Sequence, residues 1–205
     1  MFVDYDTGEP PGRDHPWSFA LSNPSEKYVD FKVHPEQIPL SLPDFQPWAH
    51  YPAIQAFYAL LAWLNGPDSV FESNDCGLRP PRQDNEAPQT IRGTFEADPI
   101  VMHARLTIIF RDLAWNTSAP TVDGLKKSIH DCLRDNVPYI PAVVKIGSWA
   151  HSFTAIQKEG RAVTLVCWAW GDDEAMAMVQ LKNTFEAIHA CLKWISEHLR
   201  NRAKT

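Results

Sequence analysis

The sequence lacks the long apolar run of a membrane-spanning helix and the paired cysteines of a metal finger or disulfide framework. A spanning helix takes about 20 apolar residues, whereas the longest candidate run, Ala53 to Leu64, is interrupted by Gln55. The cysteines at positions 76, 132, 167 and 191 show no CxxC spacing. The acidic start MFVDYDTGEPPGRDH also lacks the basic and apolar regions of a signal peptide. We therefore expect a soluble cytoplasmic protein with free thiols and no membrane contact.

Basic charge is scarce in the first half of the chain. Residues 1–100 carry 6 basic and 15 acidic side chains, and residues 101–205 carry 13 basic and 10 acidic ones, which gives a net charge of −6. A nucleic-acid binder usually concentrates basic residues on one face, and here only the tail LRNRAKT is basic. Histidines 15, 34, 50 and 103 lack metal-ligand spacing, and no glycine-rich phosphate loop occurs. These features predict no nucleic-acid partner, no metal and no cofactor.

Prolines and aromatic residues are plentiful in residues 1–51. Eight prolines lie at positions 10, 11, 16, 24, 35, 39, 43 and 47. Because proline removes a backbone donor and restricts the preceding residue, regular helix is excluded there. The aromatic residues are too many for a free linker. The pattern predicts an irregular arm packed on the domain, with one short strand near Lys27–Val33.

Residues 52–205 read as a single α+β domain with a long loop at 66–99. PAIQAFYALLAWLNG predicts a helix, and another is expected from Thr121 to Asp135. Alternation predicts strands at about 100–113, 139–147, 148–157 and 161–170, the last two joined by a turn at residues 158–160. A long final helix is expected to follow Asp172, which should cap it. We therefore predict a mainly antiparallel sheet of about 4–5 strands, with the long C-terminal helix and one or two further helices packed on it.

The final helix carries an apolar seam with alternating spacings of three and four residues. This spacing fits either a sheet-packing stripe or the interface of a homodimer. The flanking residues Ala187, Cys191 and Trp194 widen the stripe, which favours packing against the sheet, and the homodimer stays as the alternative. The seam consists of Met178, Leu181, Phe185, Ile188, Leu192, Ile195 and Leu199.

Three residues in the order cysteine, histidine, aspartate are the candidates for an enzyme. NDCGL at 74–78, and LKKSIHDCLRDNVPYIPAVV followed by GSWAHSF, are similar to segments of the bacteriocin-processing, papain-like peptidases. The resemblance covers about a third of the chain. It implies a thiol hydrolase with Cys76 as nucleophile, His151 as base and Asp172 or Asp173 as the orienting group. The prolines at 80 and 81 argue against the helix that should follow the nucleophile, so we favour a non-enzymatic function and keep the hydrolase as the alternative.

An acidic half and a cluster of tryptophans favour protein binding instead. Charge complementarity steers association, and aromatic side chains supply affinity. The sequence therefore predicts an interaction module, of the kind found among immunity and inhibitor proteins, that binds a basic protein partner. The residues expected to bind are Glu72, Asp75, Asp84, Glu86, Trp149, Trp168 and Trp170.

Overall fold

The described residues of the chain form one six-stranded mixed sheet with helices on one face. The computed structural model describes residues 1–8, 12–18, 27–83 and 99–202. The strands are β1 (Phe2–Tyr5), β2 (Arg13–His15), β3 (Phe71–Gln83), β4 (Ile100–Phe110), β5 (Ala142–Phe153) and β6 (Lys158–Gly171). The helices are α1 (Pro52–Asn65), the short α2 (Leu113–Asn116), α3 (Ala119–Asn136) and α4 (Glu174–Arg202), with 3-10 turns at Pro35–Gln37 and Pro43–Trp48. The α+β class and the long C-terminal helix are confirmed.

The sheet is antiparallel in its centre and parallel at one edge. Its order is β1-β5-β6-β4-β3. Strand β2 also pairs with β5, at later residues of β5 than β1 does. Both β1 and β2 run parallel to β5, and the other three pairings are antiparallel. The expectation of about four or five strands missed these two short parallel strands, which lie inside the segment interpreted as an irregular arm. The strand expected near Lys27–Val33 is absent from that described segment.

Strand β3 occupies residues that were predicted to form a loop because the segment is rich in proline. It pairs with β4 alone, so it is an edge strand. Its register shifts between Arg79 and Arg82, where the two prolines stand. Proline is tolerated at an edge or a bulge because no ladder hydrogen bond is lost there. The predicted loop at 66–99 is therefore wrong for residues 71–83, and residues 84–98 lie outside the described part.

The hairpin of β5 and β6 turns earlier than predicted. β5 is one continuous strand where two were expected, and the turn falls between Phe153 and Lys158, with a positive φ of 52° at Gln157. Gly160 is needed for another reason. A Cβ there would lie 2.5 Å from the carbonyl oxygen of Asn116, so only glycine lets the strand approach α2.

Helix α4 begins one residue later than expected and covers the sheet. The Asp173 side chain, rather than that of Asp172, accepts a hydrogen bond from the Met176 amide at 2.7 Å, as an N-cap does. From Met178 to Ile195 the seam is buried in the main core with α1, α3 and strand residues, and Leu199 is partly buried against it. The seam therefore packs within its own chain, as favoured from the sequence, and this stripe is not available to the alternative homodimer. None of the described helices is long and apolar enough to cross a membrane.

The burial of the seam predicts a clear difference between two alanine variants of α4. Leu181 is fully buried and Val179 is 49% exposed. Leu181→Ala should lower the free energy of unfolding by about 2–5 kcal/mol, since it removes core contacts and leaves a cavity. Val179→Ala should change it by less than about 0.5 kcal/mol. Urea titration followed by circular dichroism measures both, and equal effects would contradict the packing of this face.

Candidate functional site

A β-bulge at Asn74 turns a polar side chain onto the sheet face opposite the helices. Ser73 pairs with Ile108 and Asp75 with Thr107, so Asn74 is the extra residue of β3. A bulge bends a strand and redirects its side chains. The Asn74 side chain is thereby directed toward β2 and β5, although β4 and β6 separate β3 from β5 in the strand order. The sheet is coiled enough for its two edges to meet through side chains.

The amide of Asn74 joins two buried histidines. Its Nδ2 lies 2.8 Å from Nε2 of His151, and its Oδ1 lies 2.6 Å from Nδ1 of His15. His151 is 1% exposed and His15 is 6% exposed. The Asn74 backbone carbonyl also accepts a hydrogen bond from Nε1 of Trp17 at 2.8 Å. One residue of β3 therefore holds β5, β2 and the segment after β2.

The hydrogen bonds define which atoms carry protons. Nδ1 of His151 lies 3.2 Å from the backbone carbonyl of Trp149, so it donates, and Nε2 accepts from the Asn74 amide. This is a neutral imidazole, in keeping with burial, which lowers the pKa of His151. With the amide orientation fixed in this way, Oδ1 of Asn74 accepts from Nδ1 of His15.

Glu72 is a buried carboxylate held by two basic groups. It is 1% exposed, it forms an ion pair with Lys32, and its Oε1 lies 3.3 Å from Nε2 of His15. That histidine contact is an ion-pair distance without the alignment of a regular hydrogen bond. Burial raises the pKa of Glu72, but the neighbouring His15 and Lys32 outweigh it and lower the pKa overall. The carboxylate is therefore kept charged inside the protein.

Asp75 forms a second ionic group beside the first. Its Oδ2 binds Nη1 of Arg13 and lies 3.0 Å from Nη2 of Arg105. The Arg13 guanidinium is 4.5 Å from the ring centre of Trp17, and that of Arg105 is 5.3 Å from the ring centre of Trp149. Cation–π contacts of this kind add to the ion pairs. We call His15, Glu72, Asn74, Asp75 and His151, with their bound cations, the polar cluster.

The polar cluster holds acids and bases but offers no free catalytic group. A general base needs a nitrogen or oxygen available to the proton it removes. Both ring nitrogens of His151 are bonded to Asn74 and Trp149, and both of His15 face Asn74 and Glu72. The arrangement instead fixes β2 and the residues around Lys32 on the sheet. Its geometry fits a structural role.

The structure does not bring the three hydrolase candidates together. Cys76 lies in β3, not at a helix start, and packs toward the helix-covered core, where burial raises the pKa of its thiol. His151 pairs with Gly160 at one end of the hairpin, whereas the exposed Asp172 follows the far end of β6. At about 3.3 Å per residue, the two ends are roughly 35 Å apart. The resemblance to thiol peptidases does not extend to the geometry of a site.

The predicted acidic surface also changes. Glu72 and Asp75 are drawn inward by ion pairs, so their charges are not presented to a partner, contrary to the expectation. Asp84 and Glu86 lie outside the described residues. Trp170 is 4% exposed and packs with Val101 and Val143 on the face away from the helices.

Two further tryptophans of the predicted patch are half-buried. Trp149 lies beside Arg105, and Trp168 lies 5.0 Å from His103, ring centre to ring centre. Their role in binding stays a prediction, as does that of Trp170.

A different surface carries the large exposed aromatic residues. Tyr139 is 72% exposed, Trp194 51% and Phe2 50%. Tyr139 and Trp194 line one groove between the end of α3 and the middle of α4, with a volume of about 780 Å³. Phe2 meets Tyr139 edge to face at 6.3 Å. We call Phe2, Tyr139 and Trp194, together with Asp4 of β1 and Asp6 just after it, the edge surface. No sequence pattern had indicated it.

Among the described residues, no group of three or more histidine, cysteine or acidic side chains is arranged to hold a metal ion. No known family model, curated protein or solved structure matches this chain.

The neutral state of His151 predicts a pH dependence of stability. An unfolded histidine has a pKa of about 6.5, and burial lowers the folded value. Below about pH 6.5 the unfolded chain binds a proton that the folded chain does not, so the free energy of unfolding should fall as pH is lowered. His151→Gln, which keeps an acceptor for Asn74, should reduce that fall by up to about 1.4 kcal/mol per pH unit.

Urea titrations of both proteins between pH 5 and 8 measure the difference. Burial also lowers the pKa of His189, to about 4, but this contribution is common to both proteins and cancels. Parallel profiles for the two proteins would contradict a neutral buried His151.

Proposed function

We propose that the protein is an interaction module of the inhibitor type, and that it binds a basic partner protein through the edge surface. One observation carries the proposal: Tyr139 and Trp194, each at least half exposed, line one groove, and the half-exposed Phe2 extends this aromatic surface through its contact with Tyr139. Large aromatic side chains in contact with water are costly to leave uncovered. Exposed apolar patches of this kind mark binding surfaces.

The floor of the groove suits a protein side chain. Apolar groups from α4 and from the segment that follows α3 line it, among them Val137, Pro138, Ala187 and Ala190. Aromatic anchors around a pocket are the typical source of binding energy in protein interfaces, because the partner excludes water from them. A partner that inserts an apolar side chain between Tyr139 and Trp194 would bury both rings.

Two carboxylates adjoin these aromatic residues. Asp4 and Asp6 form no ion pair in the described part of the chain, although Lys145 is in register beside Asp4. Carboxylates that are not held in an ion pair attract basic proteins over about 10 Å at 0.1 M salt. We thus keep the expectation of a basic partner and move the acidic contact from Glu72 and Asp75 to the N-terminal strand.

Side chains, not an added β-strand, are the means of contact. β1 is an edge strand, and an open edge can pair with a strand of another protein. Here the Asp4 carboxylate accepts a hydrogen bond from the neighbouring Tyr5 amide at 2.8 Å. The Asp6 carboxylate accepts one from the Gly8 amide at 3.0 Å. The carboxylates therefore protect the edge and still carry charge toward solvent.

A photo-reactive residue at position 139 tests the proposal while the partner is still unidentified. The full chain with benzoyl-phenylalanine in place of Tyr139 should cross-link one basic protein in extracts of the native host. The same replacement at Leu40, which is 62% exposed on another part of the chain, should not cross-link that protein. No specific product at 139, or a product that is not basic, would contradict the proposal.

Affinity measurements with the cross-linked partner separate the two parts of the surface. Tyr139→Ala and Trp194→Ala should each weaken binding by about tenfold or more, mainly through faster dissociation. Leu40→Ala should leave affinity unchanged.

Charge neutralisation should act on the association rate. Asp4→Asn with Asp6→Asn should slow association by about threefold at low salt and have little effect at about 0.5 M salt. The matched control is Glu36→Gln with Glu159→Gln, two exposed acids away from the edge surface. Equal effects of the two double variants would show that the association rate depends on the net charge of the protein and not on the edge surface.

A further inference from the structure

Two cysteines from different helices lie side by side at the groove. Cys132 is near the end of α3 and Cys191 is in the middle of α4, and both line the groove. Sγ of Cys191 is 3.9 Å from the carbonyl oxygen of Ile129, which precedes Cys132 by one helical turn. The side chains of Cys132 and Cys191 are close enough to interact. Their spacing in the sequence gave no sign of this, because about 60 residues separate them.

We propose that Cys132 and Cys191 form a site of reversible thiol oxidation, at which a small-molecule disulfide converts them into a disulfide bond between α3 and α4. This proposal does not depend on whether the groove binds a protein. Its basis is the juxtaposition of two thiols on packed helices, one of them open to solvent.

Unequal exposure sets the order of the two steps. Cys132 is partly exposed, whereas Cys191 is 2% exposed. The oxidant therefore reacts first with Cys132. Its thiolate attacks one sulfur of the small disulfide, which forms a mixed disulfide and releases one small thiolate.

Cys191 completes the exchange. It gives its proton to the released thiolate and attacks Sγ of Cys132, which breaks the mixed disulfide. The second small thiolate leaves and takes up from solvent the proton that Cys132 had lost. Two protein thiols are oxidised and one small disulfide is reduced to two thiols. Burial, with the neighbouring Cys132 thiol, raises the pKa of Cys191, so this second step is the slower one and quickens as pH rises.

The other two cysteines serve as internal controls. Cys76 pairs with Leu106 on β4, and Cys167 pairs with Ala104 and Val144 on its neighbouring strands. Each of these two cysteines has apolar residues of the neighbouring strands beside it, whereas Cys132 and Cys191 lie beside each other. Both should stay reduced while the protein is folded.

Treatment of the reduced full chain with glutathione disulfide at about pH 8 tests the site. The product should be a monomer lighter by two hydrogen atoms, and peptide mapping should join the peptides of Cys132 and Cys191. The cross-link closes a long loop, so the melting temperature should rise by about 5–10 °C. Dithiothreitol should reverse both changes.

Two variants separate the steps. Cys191→Ser should accumulate a stable glutathione adduct on Cys132, and Cys132→Ser should form neither adduct nor disulfide. If Cys191→Ser fails to fold, the proposal is tested by peptide mapping of the wild-type product and by the Cys132→Ser variant. A wild-type product that carries only the adduct, that joins Cys76 or Cys167, or that links two chains would overturn the proposal.

Discussion

The hydrogen bonds of the Asn74 amide connect parts of the protein that the strand order keeps apart. Asn74 belongs to one edge of the sheet, and the two histidines it joins belong to β5 and to β2, near the other edge. Without this link, the strand pairing of β2 and the ion pairs of Asp75 and Glu72 alone would hold the proline-rich segment on the sheet. With it, the residues around Trp17 and Lys32 pack over a face that the helices leave uncovered.

The two faces of the sheet are stabilised by different physical forces. The helix-covered face is a continuous apolar core in which α1 and α4 supply most of the helical contacts. The opposite face encloses two carboxylates with their cations. Charges taken from water are costly unless they are paired and hydrogen-bonded. A cluster whose charges are paired in this way favours one arrangement of the chain over others. Because both histidines and both carboxylates of the cluster are already engaged, we place the proposed function at the exposed aromatic residues beside β1.

Local patterns predicted the elements whose residues repeat with a regular period. The seam of α4, the helix after Pro52 and the alternation along β4 were all recognisable, because each buries one face against a continuous core. β3 was missed because its bulge at Asn74 breaks the alternation and its prolines resemble a loop. The polar cluster was missed because its contacts join residues 59 and 77 positions apart, which no local period records. Charge alone placed Glu72 and Asp75 on the surface, whereas their cationic partners, Lys32 and Arg13, come from the supposed arm.

Hydrogen exchange in an Asn74→Leu variant tests most directly whether the amide of Asn74 holds β2 on the sheet. Leucine has nearly the same size and removes every side-chain hydrogen bond to His15 and His151. We predict that the backbone amides of Arg13, Asp14 and His15 exchange at least about tenfold faster than in the wild type, while those of α1 and the centre of α4 keep their protection. Unchanged exchange across β2 in a folded variant would contradict this role of Asn74.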